Sequence, residues 1–271
     1  MQLSVLTYNT LFGGRDGTAS TRATAQMQII LGVRPDVLLL QEATGFDGHG
    51  GAWLHELEAA IGMRGFLAPA ARTGFHVAVF LRAPLRPIAF HPDPANFHHA
   101  LATLRVAVPG LKQPMDFSSV HLCPFGPEVR RREASYLSAM AAPQALSLLA
   151  GDFNSCSPHD PEPADWPTLP AHYQSRHLVD GCEGVDRSVM ARLERAGWVD
   201  LGNQFGANGK ATVPTPAYRN AEFATMRCDY LLASKALAPF AVAYEVIQNT
   251  ATENASDHYP VLARFALPAT A

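Results

Sequence analysis

Two stretches, DVLLLQE at residues 36–42 and ALSLLAGDFN at residues 145–154, constrain the chain more than any other feature. Each is a short, unbroken apolar run that closes on an acid or an amide. A run that is apolar at every position, on both faces of an extended chain, suits a strand covered by other layers on both sides. An amphipathic helix or a half-exposed strand would alternate. The polar ends set a second constraint, because an unpaired carboxylate is expensive to bury. Whatever fold covers these strands must also give their ends partners.

The rest of the chain supplies the covering layers. Gln2–Asn9 alternates as a strand, and Thr21 can cap a helix with an apolar face at Ala23, Met27, Ile30 and Leu31, stopped by Gly32. A helix is expected over Ala52–Ile61. Strands are expected over Val77–Leu81, Leu101–Val108 and Met115–Leu122, followed by a helix over Glu128–Met140. The segment APLRPIAFHPDPANFHH reads as irregular because of its prolines. Residues 155–186 read as a long proline-rich loop, a lid or specificity insert over a site. Helical spacing returns at DRSVMARLERAGW, and the last strands are CDYLLAS, Ala241–Ile247 and YPVLARFAL. Strands and helices mix throughout and no repeat or linker interrupts them, so residues 1–271 are expected to form one α/β domain.

Polar groups without an obvious structural duty fall at the strand ends: Asn9, Glu42, His121, Asp152 with Asn154, and Asp257-His258. Asp229 sits where a strand starts. So many such points suggest one shared polar pocket. Glu, Asp and Asn oxygens suit Mg2+ or Mn2+ and are a poor match for zinc. The histidines add proton transfer or positive charge. No G-x-S-x-G elbow is present, which disfavours acyl transfer. HELEA at residues 55–59 lacks the second histidine of a zinc protease. A hard cation, acids and histidines together point to attack of water on phosphorus.

The ordered set Asn9, Gln41-Glu42, His121, Gly151-Asp152-Phe153-Asn154, Asp229 and Ser256-Asp257-His258 resembles the endonuclease/exonuclease/phosphatase superfamily over residues 3 to 265. That superfamily includes deoxyribonuclease I, apurinic endonucleases, sphingomyelinases and inositol polyphosphate 5-phosphatases. The resemblance implies a deoxyribonuclease I-like, four-layer α/β/β/α sandwich: two packed mixed sheets flanked by helices. It implies Glu42 as the principal metal ligand, assisted by Asn9 and Asp257. Asp152 would orient or deprotonate water, and Asn154 would hold a phosphate oxygen. His258 would face the phosphate with Asp229 fixing its ring, and His121 would help the leaving oxygen depart. Asp257 and His258 are expected to point opposite ways from a strand end. Two departures stand out. Leu11 occupies a position where apurinic endonucleases carry an acid. The glutamate on which the deoxyribonuclease histidine leans has no counterpart, since no acid occurs between Glu58 and Asp93.

The reading is therefore a Mg2+- or Mn2+-dependent hydrolase of a small phosphate ester or lipid head group. A DNA or RNA nuclease and a re-purposed member with other chemistry are the alternatives. Acids outnumber bases, 24 to 21, for a net charge of −3, which argues against long duplex DNA as a partner. Candidate substrate contacts are Arg15 in the glycine loop, Arg130 in the run Arg130–Arg132, and Trp166 and Tyr173 in the 155–186 segment. Each has a plainer reading: the arginines as a solvated face, the rings as pins for the loop. His91, His98 and His99 lack metal spacing and read as loop residues. The four cysteines form no C-x-x-C pair, which favours reduced thiols, although Cys123 and Cys156 each follow a site motif closely enough to bridge. No leader or membrane-spanning run is visible, so a cytoplasmic location is expected.

Overall fold

The computed structural model describes residues 1–178, 184–219 and 222–268. Its elements run β1 (Gln2–Asn9), α1 (Thr21–Val33), β2 (Val37–Gln41), α2 (Ala52–Ile61), β3 (Arg64–Ala68) and β4 (Val77–Leu81). Next come β5 (Arg86–Asp93), β6 (Leu101–Ala107), β7 (Met115–His121), α3 (Pro127–Ala139) and β8 (Leu146–Asp152). The chain closes with α4 (Ala171–Gln174), α5 (Ser188–Ala196), β9 (Trp198–Asp200), α6 (Leu201–Gln204), β10 (Asp229–Ser234), β11 (Ala241–Val246) and β12 (Val261–Ala266). Six strands form one sheet in the order β11-β12-β1-β2-β4-β3, and six form the other in the order β5-β6-β7-β8-β10-β9.

Alternate residues of each strand serve different layers. Val5, Val37, Leu39 and Val79 face the other sheet and meet Leu104, Phe117, Leu148 and Leu231 there. Their neighbours Leu6, Leu38, Leu40 and Phe80 point outward onto α1 and α2. On the far side Val120, Leu149 and Leu232 pack under α3 and α5 through Leu137, Val189, Met190 and Leu193. The result is α/β/β/α, and it explains why β2 and β8 are apolar at every position. Truncating an inner leucine to alanine here costs about 2–5 kcal/mol.

The sequence reading differs from the structure at the edges. The proline-rich stretch contains β5, which pairs with β6 across a bulge between Pro87 and Ala89. Proline is tolerated there because β5 is an edge strand whose outer N–H positions face solvent. The short strands β3 and β9 also escape prediction. Gly32 lies inside α1, which ends one residue later against Arg34 in the left-handed region. Thr21 is the first helical residue, after Ser20. Asp257 and His258 do not close a strand; they precede β12. Cys123, Cys156 and Cys228 are free and buried, so Cys123 and Cys156 are not bridged. Cys156 instead shares an apolar cluster with Trp166 and Cys228. Cys182 lies outside the described residues. Among the described residues no helix is long and apolar enough to cross a membrane.

Candidate active site

Strand direction gathers the polar residues. β1 and β2 run parallel, with Asn9 beside Gln41. β7 and β8 run parallel, with His121 beside Asp152. β10 runs antiparallel to β8, which sets Asp229 opposite Asp152, and β12 runs antiparallel to β1, with Val261 opposite Thr7. The carboxyl ends of four strands and the amino ends of two therefore meet at one edge of the sandwich. Asp229 and Asp257-His258 reach the site from strand starts for this reason.

Buried polar bonds fix the frame. Gln41 Nε2 donates to Thr7 Oγ1 at 3.1 Å and to Ser119 Oγ at 3.0 Å, tying the two sheets together behind the site. Ser256 Oγ donates to the Asn9 carbonyl at 2.8 Å, and Gln26 Nε2 bridges the carbonyls of Thr10 and Ala255. Gly151 has φ of 145°, and a Cβ there would lie 1.9 Å from the Val120 carbonyl oxygen, so only glycine fits before Asp152. Leu11, Phe12, Glu42 and Asn154 follow strand ends in the left-handed region. That conformation costs about 1–2 kcal/mol per non-glycine residue, and it concentrates where the chain must turn side chains into the pocket.

Asn9 Nδ2 donates to Asp152 Oδ2 at 3.1 Å and to Glu42 Oε1 at 3.3 Å, and lies 3.5 Å from His258 Nε2. Glu42 Oε2 accepts the Phe12 N–H at 3.0 Å. Asp152 Oδ1 accepts the Asn154 N–H at 2.8 Å, while Asn154 Nδ2 donates to the Leu122 carbonyl. His258 Nδ1 lies 2.8 Å from Asp229 Oδ2, and His258 Nε2 lies 3.7 Å from Asp152 Oδ2. His121 Nε2 lies 3.4 Å from the same oxygen. The eight catalytic and metal residues expected from the sequence are thus brought to one place.

Burial, reinforced by Asp257, pushes the Glu42 carboxyl up to about 7. Burial also raises Asp152, with Asp229 and Glu42 adding to the rise and His258 opposing it. Burial disfavours the charged form of His258, but Asp229, Asp257 and Asp152 outweigh it and hold the imidazole well above its usual value. The three acids thus favour the charged form of His258. His121 goes the other way: burial, with His99, His258 and His98 nearby, keeps it well below its usual value.

The substrate contacts expected from the sequence fare differently. Arg130 is fully buried inside α3 and donates to the carbonyls of Cys123 and Arg176; it is a structural strut with no path to substrate. Arg15 lies over the Trp53 ring at 3.9 Å and pairs with Glu56 at 3.2 Å. Trp166 is buried against Val213, Phe223 and Met226, pinning the stretch around it to the body. Tyr173 is half-buried, with the Arg176 guanidinium 4.8 Å from its ring centre. The sequence reading missed His99, which stacks on His121 at 4.3 Å with 28° between planes. It also missed Phe75 at 6.5 Å from His121 and Phe223 at 5.5 Å from His258. The cluster NFHHA just before β6 was the available signal for His99.

The Endonuclease/Exonuclease/phosphatase family model matches residues 6–258. The chain belongs to this family and is an enzyme that hydrolyses phosphate esters. The fold is that of an AP endonuclease from Archaeoglobus fulgidus, 17% identical, with a TM-score of 0.70 over 98% of this chain and all of that one. An endonuclease/exonuclease/phosphatase from Beutenbergia cavernae is 22% identical, with a TM-score of 0.69 over 98% of this chain and 72% of that chain. ANGEL2, a 2′,3′-cyclic phosphatase, is 16% identical, with a TM-score of 0.68 over 97% of this chain and 95% of its own. Comparison with curated protein sequences gives no match.

Proposed function

We propose that this chain is a divalent-metal-dependent phosphoesterase that acts on a small phosphate ester or lipid head group. The observation that carries the reading is the half-site around Glu42. Asp257 raises Glu42, yet among the described residues no arginine or lysine pairs with either carboxylate. Two acids held in this way are a hard-oxygen donor set suited to a divalent cation. Asp152, Asp229 and His258 also place ligand atoms within 4.8 Å of one another. The Asp229–His258 hydrogen bond at 2.8 Å accounts for that closeness and already engages Nδ1 of the ring. In this reading Glu42 and Asp257, with Asn9 beside them, would hold Mg2+ or Mn2+.

When bound there, the cation supplies Lewis acidity and charge neutralisation to a phosphate oxygen. The chain's own groups carry the rest. Asp152 takes the proton of the attacking water; its raised carboxyl is a better match to that task than an ordinary aspartate. Asn9 holds Asp152 and Glu42 at a fixed separation. Asn154 braces Asp152 through its backbone and has one side-chain N–H left for a phosphate oxygen. The charged form of His258, fixed by Asp229, neutralises charge that grows on the phosphoryl group.

The small-substrate reading rests on charge and on an exposed ring. Arg130 is buried and Arg131 pairs with Glu128 at 3.8 Å, so the basic run does not form a track for a polyphosphate backbone. Phe12, whose N–H binds Glu42, is 48% exposed and suits an apolar or planar leaving group. Trials with phosphomonoesters, cyclic and linear phosphodiesters, phospholipids and plasmid, each with Mg2+, Mn2+ or chelator, test the reading. Chelator-sensitive turnover of a small ester is the expected result. Cleavage of plasmid alone would reassign the protein as a nuclease, and no turnover of any ester would end the proposal.

A further inference from the structure

The two imidazoles of the site are supported differently. His258 has Asp229 at 2.8 Å from Nδ1. Among the described residues His121 has nothing comparable: its Nδ1 is buried without a hydrogen-bond partner. What touches His121 instead is the His99 ring, stacked face to face at 4.3 Å. His99 is itself fixed, with Nδ1 at 2.8 Å from Thr73 Oγ1 and the Phe75 ring edge-on at 5.3 Å. Both rings are nearly enclosed, His99 at 3% exposure and His121 at 4%.

Elementary hydrogen-bond accounting then sets the tautomers. A buried N–H without an acceptor is rarer and costlier than a lone pair without a donor. The unpartnered Nδ1 of His121 is therefore the bare nitrogen, and its proton sits on Nε2, which faces Asp152. The same rule places the His99 proton on Nδ1, donating to Thr73, and leaves its unpartnered Nε2 bare. Two neutral rings stack without repulsion; two imidazolium rings would not.

We propose that His99 is a positioning residue that holds His121 by ring stacking, where His258 is held by a carboxylate, so that His121 serves the phosphate as an Nε2–H donor. A neutral imidazole in this tautomer donates a hydrogen bond but is neither a general base at Nε2 nor a ready proton source. The departing oxygen then leaves without a proton from His121. This deepens the phosphoesterase reading and rests on it only for the activity arm of its test.

The first arm needs no substrate. Long-range 15N–1H correlation spectra of the whole protein at neutral pH are expected to show His121 as the neutral Nε2–H tautomer. An Nδ1–H tautomer or an imidazolium overturns the proposal even if the enzyme is active. The second arm uses the best ester from the substrate trials. His99→Ala is expected to lower kcat by about 10- to 100-fold with a smaller change in KM, because a ring left loose misplaces its donor. His99→Phe keeps a flat ring in the stack and is expected to stay within a few-fold of the parent. Equal losses in both variants, or none in His99→Ala, overturn the stacking role. Should His99→Ala fail to fold, the His121 tautomer and the His99→Phe rate still decide it.

Discussion

The Arg227 cluster and the Glu42–Asp257 pair both draw charge into the protein, and they are built in opposite ways. Arg227 is enclosed, and its Nε and Nη2 reach Asp160 at 3.0 Å each while Nη1 and Nη2 reach Asp200 at 2.9 Å and 2.7 Å. Every guanidinium nitrogen has a carboxylate and each carboxylate has the guanidinium, so the hydrogen bonding of the cluster is complete. It ties the 155–166 stretch to β9 and β10. Glu42 and Asp257 have amide, backbone and hydroxyl donors and feel the nearby His258, but among the described residues neither makes an ion pair with an arginine or lysine. The comparison teaches how to separate the two kinds of buried charge: a structural cluster gives every carboxylate a direct ion pair with a cation of the chain, and a functional one sets two carboxylates near each other without an arginine or lysine between them.

The largest effect sharpens the functional side. His258→Ala and Asp152→Asn are each expected to lower kcat by about 10²–10⁴-fold, with folding retained, because both act on groups that change charge in the reaction. Steady-state rates on the best ester check this; turnover near the parent in either variant breaks the assignment. Next comes the structural side. Arg227→Met leaves Asp160 and Asp200 buried and unpaired, and is expected to cost about 3–5 kcal/mol. Urea unfolding measures it, and a loss under about 1 kcal/mol would mean that the cluster is not complete as described.

Glu42→Gln tests the same distinction by pH and metal. Because the folded Glu42 carboxyl is raised from 4.5 to about 7, the folded state holds this proton more tightly than the unfolded state. Its contribution to stability is therefore fully present in acid and is lost as pH rises from 4.5 towards 7. Without metal, Glu42→Gln is expected to gain on the parent in melting temperature as pH climbs from 5 to 8. Mg2+ must compete with the same proton, so the parent's apparent affinity is expected to fall by about tenfold per pH unit below the Glu42 value. Calorimetric titration follows that slope. A pH-independent Mg2+ affinity, or a Glu42→Gln protein that still binds Mg2+ as tightly as the parent, would remove Glu42 from the metal site.

Much of the site was legible because its chemistry is local. DVLLLQE and AGDFN carry both the doubly buried strand and the polar group at its end, and the sheet pairing needed only to bring those ends together. What the sequence hid depends on contacts between distant segments. Arg130 looked like part of a solvated basic run, yet it is buried between Cys123 and Arg176, positions that no helical periodicity reports. His99 looked like loop because its partner, His121, lies across a strand pairing, Leu101 beside Val120, that cannot be read from spacing. Edge strand β5 was hidden by prolines that are disallowed only in a sheet interior.

The smallest expected effect falls on Arg15, where the two readings of a basic residue separate. Its guanidinium pairs with Glu56, whose side chain is 70% exposed, and lies over Trp53. An ion pair so open to solvent contributes about 0–1 kcal/mol, and a cation over a ring at a partly exposed site about 0.5–1 kcal/mol more. Arg15→Ala is therefore expected to lower stability by no more than about 2 kcal/mol. Unlike Arg227, Arg15 has a carboxylate that water can solvate just as well, so removing it strands no buried charge. Unlike Glu42, it touches none of the groups that meet at the strand ends, so kcat and KM on a small ester are expected to match the parent. A rise in KM of tenfold or more in Arg15→Ala would show that the guanidinium leaves Glu56 to hold substrate, and would move the boundary of the active site to the far side of the glycine loop.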